Sequence, residues 1–102
     1  MTINNLQWEI LYDKNINENY MGETNYFKLE IRINPEIENS RNLGRTVMHE
    51  VIHAYLYSFG FSNKDNFQLE EMIEFISHNI ENINKLTEIA LTELNKTKDK
   101  EI

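Results

Sequence analysis

Between Tyr26 and Ile33 the chain alternates: Phe27, Leu29, Ile31 and Ile33 stand against Lys28, Glu30 and Arg32. Successive side chains of an extended strand point to opposite faces, so this period of two predicts a strand with one buried and one wet side. Asn34-Pro35 ends it, because the residue before a proline is pushed out of the α region. Gln7 to Tyr12, mixing aromatic and β-branched residues, predicts a shorter strand, while the polar Asp13 to Asn19 and Gly22 predict turns. Beyond Pro35 the period becomes helical. A first long helix is expected from Ser40, which can cap it, to Gly60, a natural C′ residue. A second is expected from Asp65, with Gln68 completing a capping box. Its apolar positions Leu69, Met72, Ile73, Ile76, Ile80, Ile83 and Leu86 recur at helical spacing toward Leu94, with a break near Asn79 or Asn82. Lys96 to Ile102 is charged and shows no packing pattern. The expected organisation is one α+β domain over residues 1–95, followed by a polar tail over 96–102.

The first helix carries the chemistry. From Thr46 to Phe59, the residues Val47, Met48, Val51, Ile52, Ala54, Tyr55, Leu56 and Phe59 cover most of the helical wheel. Thr46, His49, Glu50, His53 and Tyr57 fall in the remaining arc of roughly 100°. Apart from Glu50 this stretch carries no formal charge, so the helix is expected to be buried, with its polar arc largely out of bulk water. Buried Glu and His are costly unless they are paired or bound to a metal. A hydrogen-bonded network among the two His residues, Glu50 and Tyr57 would satisfy them. The spacing favours a metal: His49-Glu50-Val51-Ile52-His53 places two imidazoles one turn apart on one face, with Glu50 beside them as a general base, the HExxH pattern.

A catalytic zinc site needs a third protein ligand and an open position. The remaining histidine is His78, and Glu70, Glu71 and Glu74 are the other candidates on the second helix. Glu70, Glu74 and His78 are spaced by four and form one stripe, so only one or two of them can approach an ion. Glu70, at the edge of the apolar face beside Ile73 and Ser77, ranks first. Glu74 lies nearly opposite the apolar stripe, which suits a solvated face.

Composition narrows the setting. The 102 residues, 40% hydrophobic, suffice for one small core. The absence of Cys removes disulfides, thiolate ligands and a Cys nucleophile, and fits a reducing cytoplasm. A net charge of −7 argues against a nucleic-acid partner. No apolar run approaches ~18 residues, and Met1 to Asn5 lacks a basic-then-apolar signal pattern. A cytoplasmic location without membrane association is therefore expected. The abundance of Asn, Ile and Lys suggests an AT-rich bacterial or phage genome.

Together, the strand Lys28 to Asn34, the helix Thr46 to Ala54 and the segment Glu70 to Ser77 resemble the compact zinc peptidases of the ImmA/IrrE type and their small phage-encoded relatives, within the gluzincin group of zincins. The resembling region spans roughly residues 22–83. The resemblance implies a minimal zincin-like fold, with a small antiparallel sheet packed on the HExxH helix and a second long C-terminal helix. It implies one Zn²⁺ per chain held by His49, His53 and Glu70, with Glu50 as base and Glu74 orienting a ligand His. The family's E-x-x-A-N-x-F-A-like pattern is matched loosely: Ile73 and Ile76 replace Ala and Phe, Glu74 replaces Asn or Asp, and the Leu-rich ending with Pro is missing. SprT-like zincins use a third His, which would give His78 that role. The implied activity is hydrolysis of a peptide bond in a protein or peptide substrate. Tyr57 would stabilise the oxyanion, donate a supporting hydrogen bond or simply fill the cleft, and the strand Tyr26 to Ile33 would be the edge on which a peptide is laid. Two other readings stand beside this one: a zinc-stabilised protein-binding module without proteolysis, and a metal-free helical interaction domain.

Overall fold

A computed structural model of the chain describes residues 1–61 and 69–100. It is an α+β fold. Strands β1 (Thr2–Ile3) and β2 (Leu6–Gln7) form a hairpin, β3 (Glu9–Tyr12), β4 (Gly22–Asn25) and β5 (Glu30–Ile33) form a sheet, and α1 (Asn42–Ser58), α2 (Leu69–His78) and α3 (Ile80–Lys100) follow. The expected capping box of Asp65 and Gln68 lies outside the described residues.

The hairpin turns on Asn4 and Asn5, both at positive φ (47° and 70°). Asn tolerates this left-handed region, and two such residues make the tight loop whose twist matches antiparallel strands. The turn also reaches across the molecule. Asn4 Nδ2 donates to the Ser58 carbonyl at 2.8 Å, and Trp8, 0% exposed, donates its Nε1 hydrogen to Ser58 Oγ at 2.9 Å. The N-terminal hairpin thus satisfies polar groups at the C-terminal end of α1 that the helix itself leaves open.

The three-stranded sheet has the order β3-β5-β4, with β3 parallel and β4 antiparallel to β5. It is mixed, where the resemblance implied an antiparallel sheet. The strand expected over Tyr26 to Ile33 is also shorter, because Asn25 Oδ1 accepts the amides of Phe27 and Lys28 at 3.0 and 2.9 Å. That side chain offers the backbone a turn in place of a ladder. Phe27 consequently lies 97% exposed, while Leu29 is half-buried against the core and Ile31 and Ile33 are fully buried, as the predicted face requires. Gly22, expected to be a turn, instead opens β4. Since β5 is central, both of its edges are occupied; β4 carries an outer edge beside α1. On the opposite face Arg32 pairs with Glu30 at 3.0 Å, Asp13 at 3.2 Å and Glu23 at 3.8 Å. The Glu30 hydrogen bond raises the Arg32 pKa; desolvation opposes the rise, and the charges of Glu30, Asp13 and Glu23 add to it.

Helix α1 covers β4 and β5, and α3 covers β3 and packs on α1. Val47, Val51 and Ala54 from α1 meet Ile83, Ala90 and Leu94 from α3, all fully buried, over Ile31 and Ile33. The predicted ends of α1 hold closely. The helix starts at Asn42 with Arg41 as its N-cap, which makes no side-chain cap bond. Ser40 Oγ, one residue before the cap, accepts the Asn42 amide at 3.1 Å. Gly60, at φ +90°, donates to the Tyr57 carbonyl, while Phe61 donates to Leu56, closing a Schellman motif.

The expected second helix divides at Asn79. Its Nδ2 donates to the Phe75 carbonyl at 2.8 Å, and its Oδ1 accepts the Tyr55 hydroxyl at 2.8 Å. Tyr55 therefore fixes the joint to α1. The break changes the phase of the apolar stripe: Ile73 and Ile80 are exposed, while Phe75 and Ile76 turn toward the core. Phe75 packs among Tyr55, Phe59 and Phe61. The polar tail is helical through Lys100, as the end of α3. No helix among the described residues is long and apolar enough to cross a membrane.

Candidate metal centre

His49, Glu50 and His53 form a group that could hold a metal ion, with one ligand atom from each lying within 4.8 Å of the others. Helix α1 brings His49 and His53 onto one face by their spacing of four. Their Nε2 atoms stand 3.3 Å apart, with the rings at 72° to one another. Two imidazole nitrogens bound about 2.0–2.1 Å from one tetrahedral ion stand about 3.3 Å apart, so the donor pair fits such an ion. His49 is exposed and His53 half-buried, which leaves the group open to solvent on the His49 side. The polar arc is thus wetter than the helical wheel implied. Tyr57 is also exposed.

The three residues are held from the sheet. Glu50 is 5% exposed, and its Oε1 accepts the Thr24 hydroxyl at 3.0 Å. Oε2 makes no hydrogen bond to a described residue. His53 Nδ1 lies 3.3 Å from the Tyr26 hydroxyl. If Nδ1 carries the proton and gives it to Tyr26, the Nε2 lone pair is turned toward His49 and a shared ion. In the other tautomer one imidazole donates to the other, which is the metal-free network. Tyr57, itself exposed, leans its ring on Tyr26 at 4.9 Å and stands edge-on to Trp8 at 6.0 Å.

Thr24 and Tyr26 escaped the sequence reading because neither belongs to a local pattern. They reach α1 only through the pairing of β4 with β5. Gly22 sets how closely β4 approaches. A Cβ there would lie 3.0 Å from Thr46 Cγ2, 3.1 Å from Glu50 Cγ and 3.3 Å from the Arg32 carbonyl oxygen. Gly22→Ala is expected to cost about 1–3 kcal/mol, the range for overpacking a filled interior. It should also displace Glu50 from Thr24. Urea unfolding measures the first effect, and the Thr24 hydroxyl environment by NMR the second. An unchanged midpoint would mean that the seam has slack.

The third-ligand candidates on helix α2 stand apart from the metal group. Glu70, Glu74 and His78 are exposed, and none joins the His49-Glu50-His53 group. The stripe they form exists, but it faces solvent, because the aromatic cluster around Phe75 and the joint at Asn79 set the rotation of α2. Glu70, Glu71 and Glu74 instead border a separate surface depression with Ile73. On the other side of the metal group, a cavity of about 300 Å³ opens directly beside His49 and Glu50. No family model matches the chain, and no curated protein or solved structure matches it.

Proposed function

We propose that the chain is a zinc-dependent metallopeptidase in which His49 and His53 hold the ion and Glu50 is the general base. The observation that carries this reading is the 3.3 Å convergence of the two Nε2 atoms beside a buried, oriented carboxylate. Zinc, when bound, acts as a Lewis acid that polarises a peptide carbonyl and makes water a nucleophile near neutral pH. The chain's own residues do the rest. Thr24 occupies Oε1 of Glu50, so Oε2 is the atom that takes the proton from the attacking water and passes it to the leaving amine. Tyr26 fixes the ring of His53. The outer edge of β4, next to Glu50, offers backbone groups on which an extended peptide can lie as an added strand.

Glu70 stands outside the group, which supports a second reading: a metal-holding module that binds a protein partner and does not hydrolyse it. One experiment tests both. Purified protein should carry one zinc per chain by elemental analysis, and peptide hydrolysis should stop on chelation and return with added zinc. At free zinc 100 times the dissociation constant, the metal should stabilise the fold by about 2.7 kcal/mol. Zinc without hydrolysis selects the second reading. No zinc and no stabilisation remove both.

A further inference from the structure

The cavity beside the metal group has walls of a particular kind. Tyr20 and Met21 are large apolar side chains left about half exposed, and with Gly22 and Thr46 they line a space of about 300 Å³. That is the lower end of the range for small-molecule sites, enough for one side chain or one terminal residue. A single cation, Arg45, borders it. Arg45 precedes His49 by one helical turn on the same face of α1. It is exposed and makes no ion pair or hydrogen bond among the described residues. In a chain of net charge −7, Arg45 sets a positive charge at the mouth of this cavity. Glu50, the acid of the same cavity, is 5% exposed and gives Oε1 to Thr24, so its negative charge lies below the surface on which Arg45 is exposed. Arg45 is the exposed charge at the cavity's rim. A guanidinium presents its donors as a planar fork that matches a carboxylate.

We propose that this cavity is a specificity pocket for a carboxylate-bearing residue of the peptide, with Tyr20, Met21 and Thr46 holding its methylene groups and Arg45 pairing its carboxylate. The carboxylate comes from an acidic side chain or from the C-terminus of the peptide. The role in cleavage rests on the peptidase reading, but binding to the pocket does not.

The test is an NMR titration of the zinc-supplemented wild-type protein with N-acetylglutamate amide, its glutamine and lysine counterparts, and N-acetylglycine. Shifts should appear at the amides of Tyr20, Met21 and Thr46. The glutamate ligand should bind about five- to tenfold tighter than the glutamine one, as a partly exposed charge-assisted pair allows. In Arg45→Gln the two should become equal. N-acetylglycine matching the glutamate ligand would assign a terminal carboxylate, and weaker binding an acidic side chain. Equal affinities in the wild type, tighter binding of the lysine ligand, or a preference that survives in Arg45→Gln would overturn the proposal. These ligands are read without turnover. Absent hydrolysis of a longer peptide would sink the peptidase reading and leave the pocket standing, whereas hydrolysis without carboxylate preference would do the reverse.

Discussion

Glu50→Gln is expected to lower peptide hydrolysis by about 10²- to 10⁴-fold, the range that a positioned general base contributes. The substitution is close to isosteric. The amide oxygen can still accept from Thr24, and the Cγ that packs under Gly22 is retained. What disappears is the capacity to hold a proton at Oε2. Fold and metal content should therefore be unchanged, and the loss should fall on kcat. The comparison is steady-state kinetics beside zinc analysis on the same preparations. Retained hydrolysis would refute Glu50 as base. Loss of zinc along with activity would make Glu50 a ligand, because its carboxylate lies close enough to both imidazoles to serve as one.

His49→Ala and His53→Ala should each weaken zinc binding by at least about a hundredfold, since even changes to groups behind a ligand cost 10–100-fold. The two variants differ in a useful way. His49 is exposed, so its removal should leave unfolding in the absence of metal nearly untouched. His53 is half-buried and contacts Tyr26, so a small loss of stability should accompany its loss of metal. Competition against a chromophoric chelator gives the affinities, and denaturant midpoints with and without zinc separate the two contributions. If His49→Ala binds zinc as the wild type does, the ion sits elsewhere.

The parts of this architecture readable from the residues alone are those written locally. The helical period from Thr46 to Phe59, the Gly60 stop and the spacing of His49 and His53 need only neighbouring positions, and α1 follows them. The break at Asn79 was legible for the same reason, although its cause, the hydroxyl of Tyr55, comes from another helix. The strand pattern misled where a side chain competed with the ladder. Asn25 captures two amides and turns Phe27 outward, against an alternation that looked uniform. Pairing direction leaves no trace in a single strand, so the parallel β3–β5 ladder was hidden. Periodicity also assigns a residue to a face of its own helix without saying what that face meets. Glu70 lies on an exposed stripe of α2, outside the His49-Glu50-His53 group.

The four residues Gly22–Asn25 combine two duties. Their outer edge pairs with no other strand among the described residues, while Gly22 and Thr24 set the position of Glu50. Under the peptidase reading, ground-state affinity and the alignment of the base are then one mechanical property. A peptide that straightens β4 also steadies the carboxylate, and one that docks out of register disturbs it. Discrimination between substrates would be expressed in turnover as much as in occupancy, so a poor substrate would bind and wait.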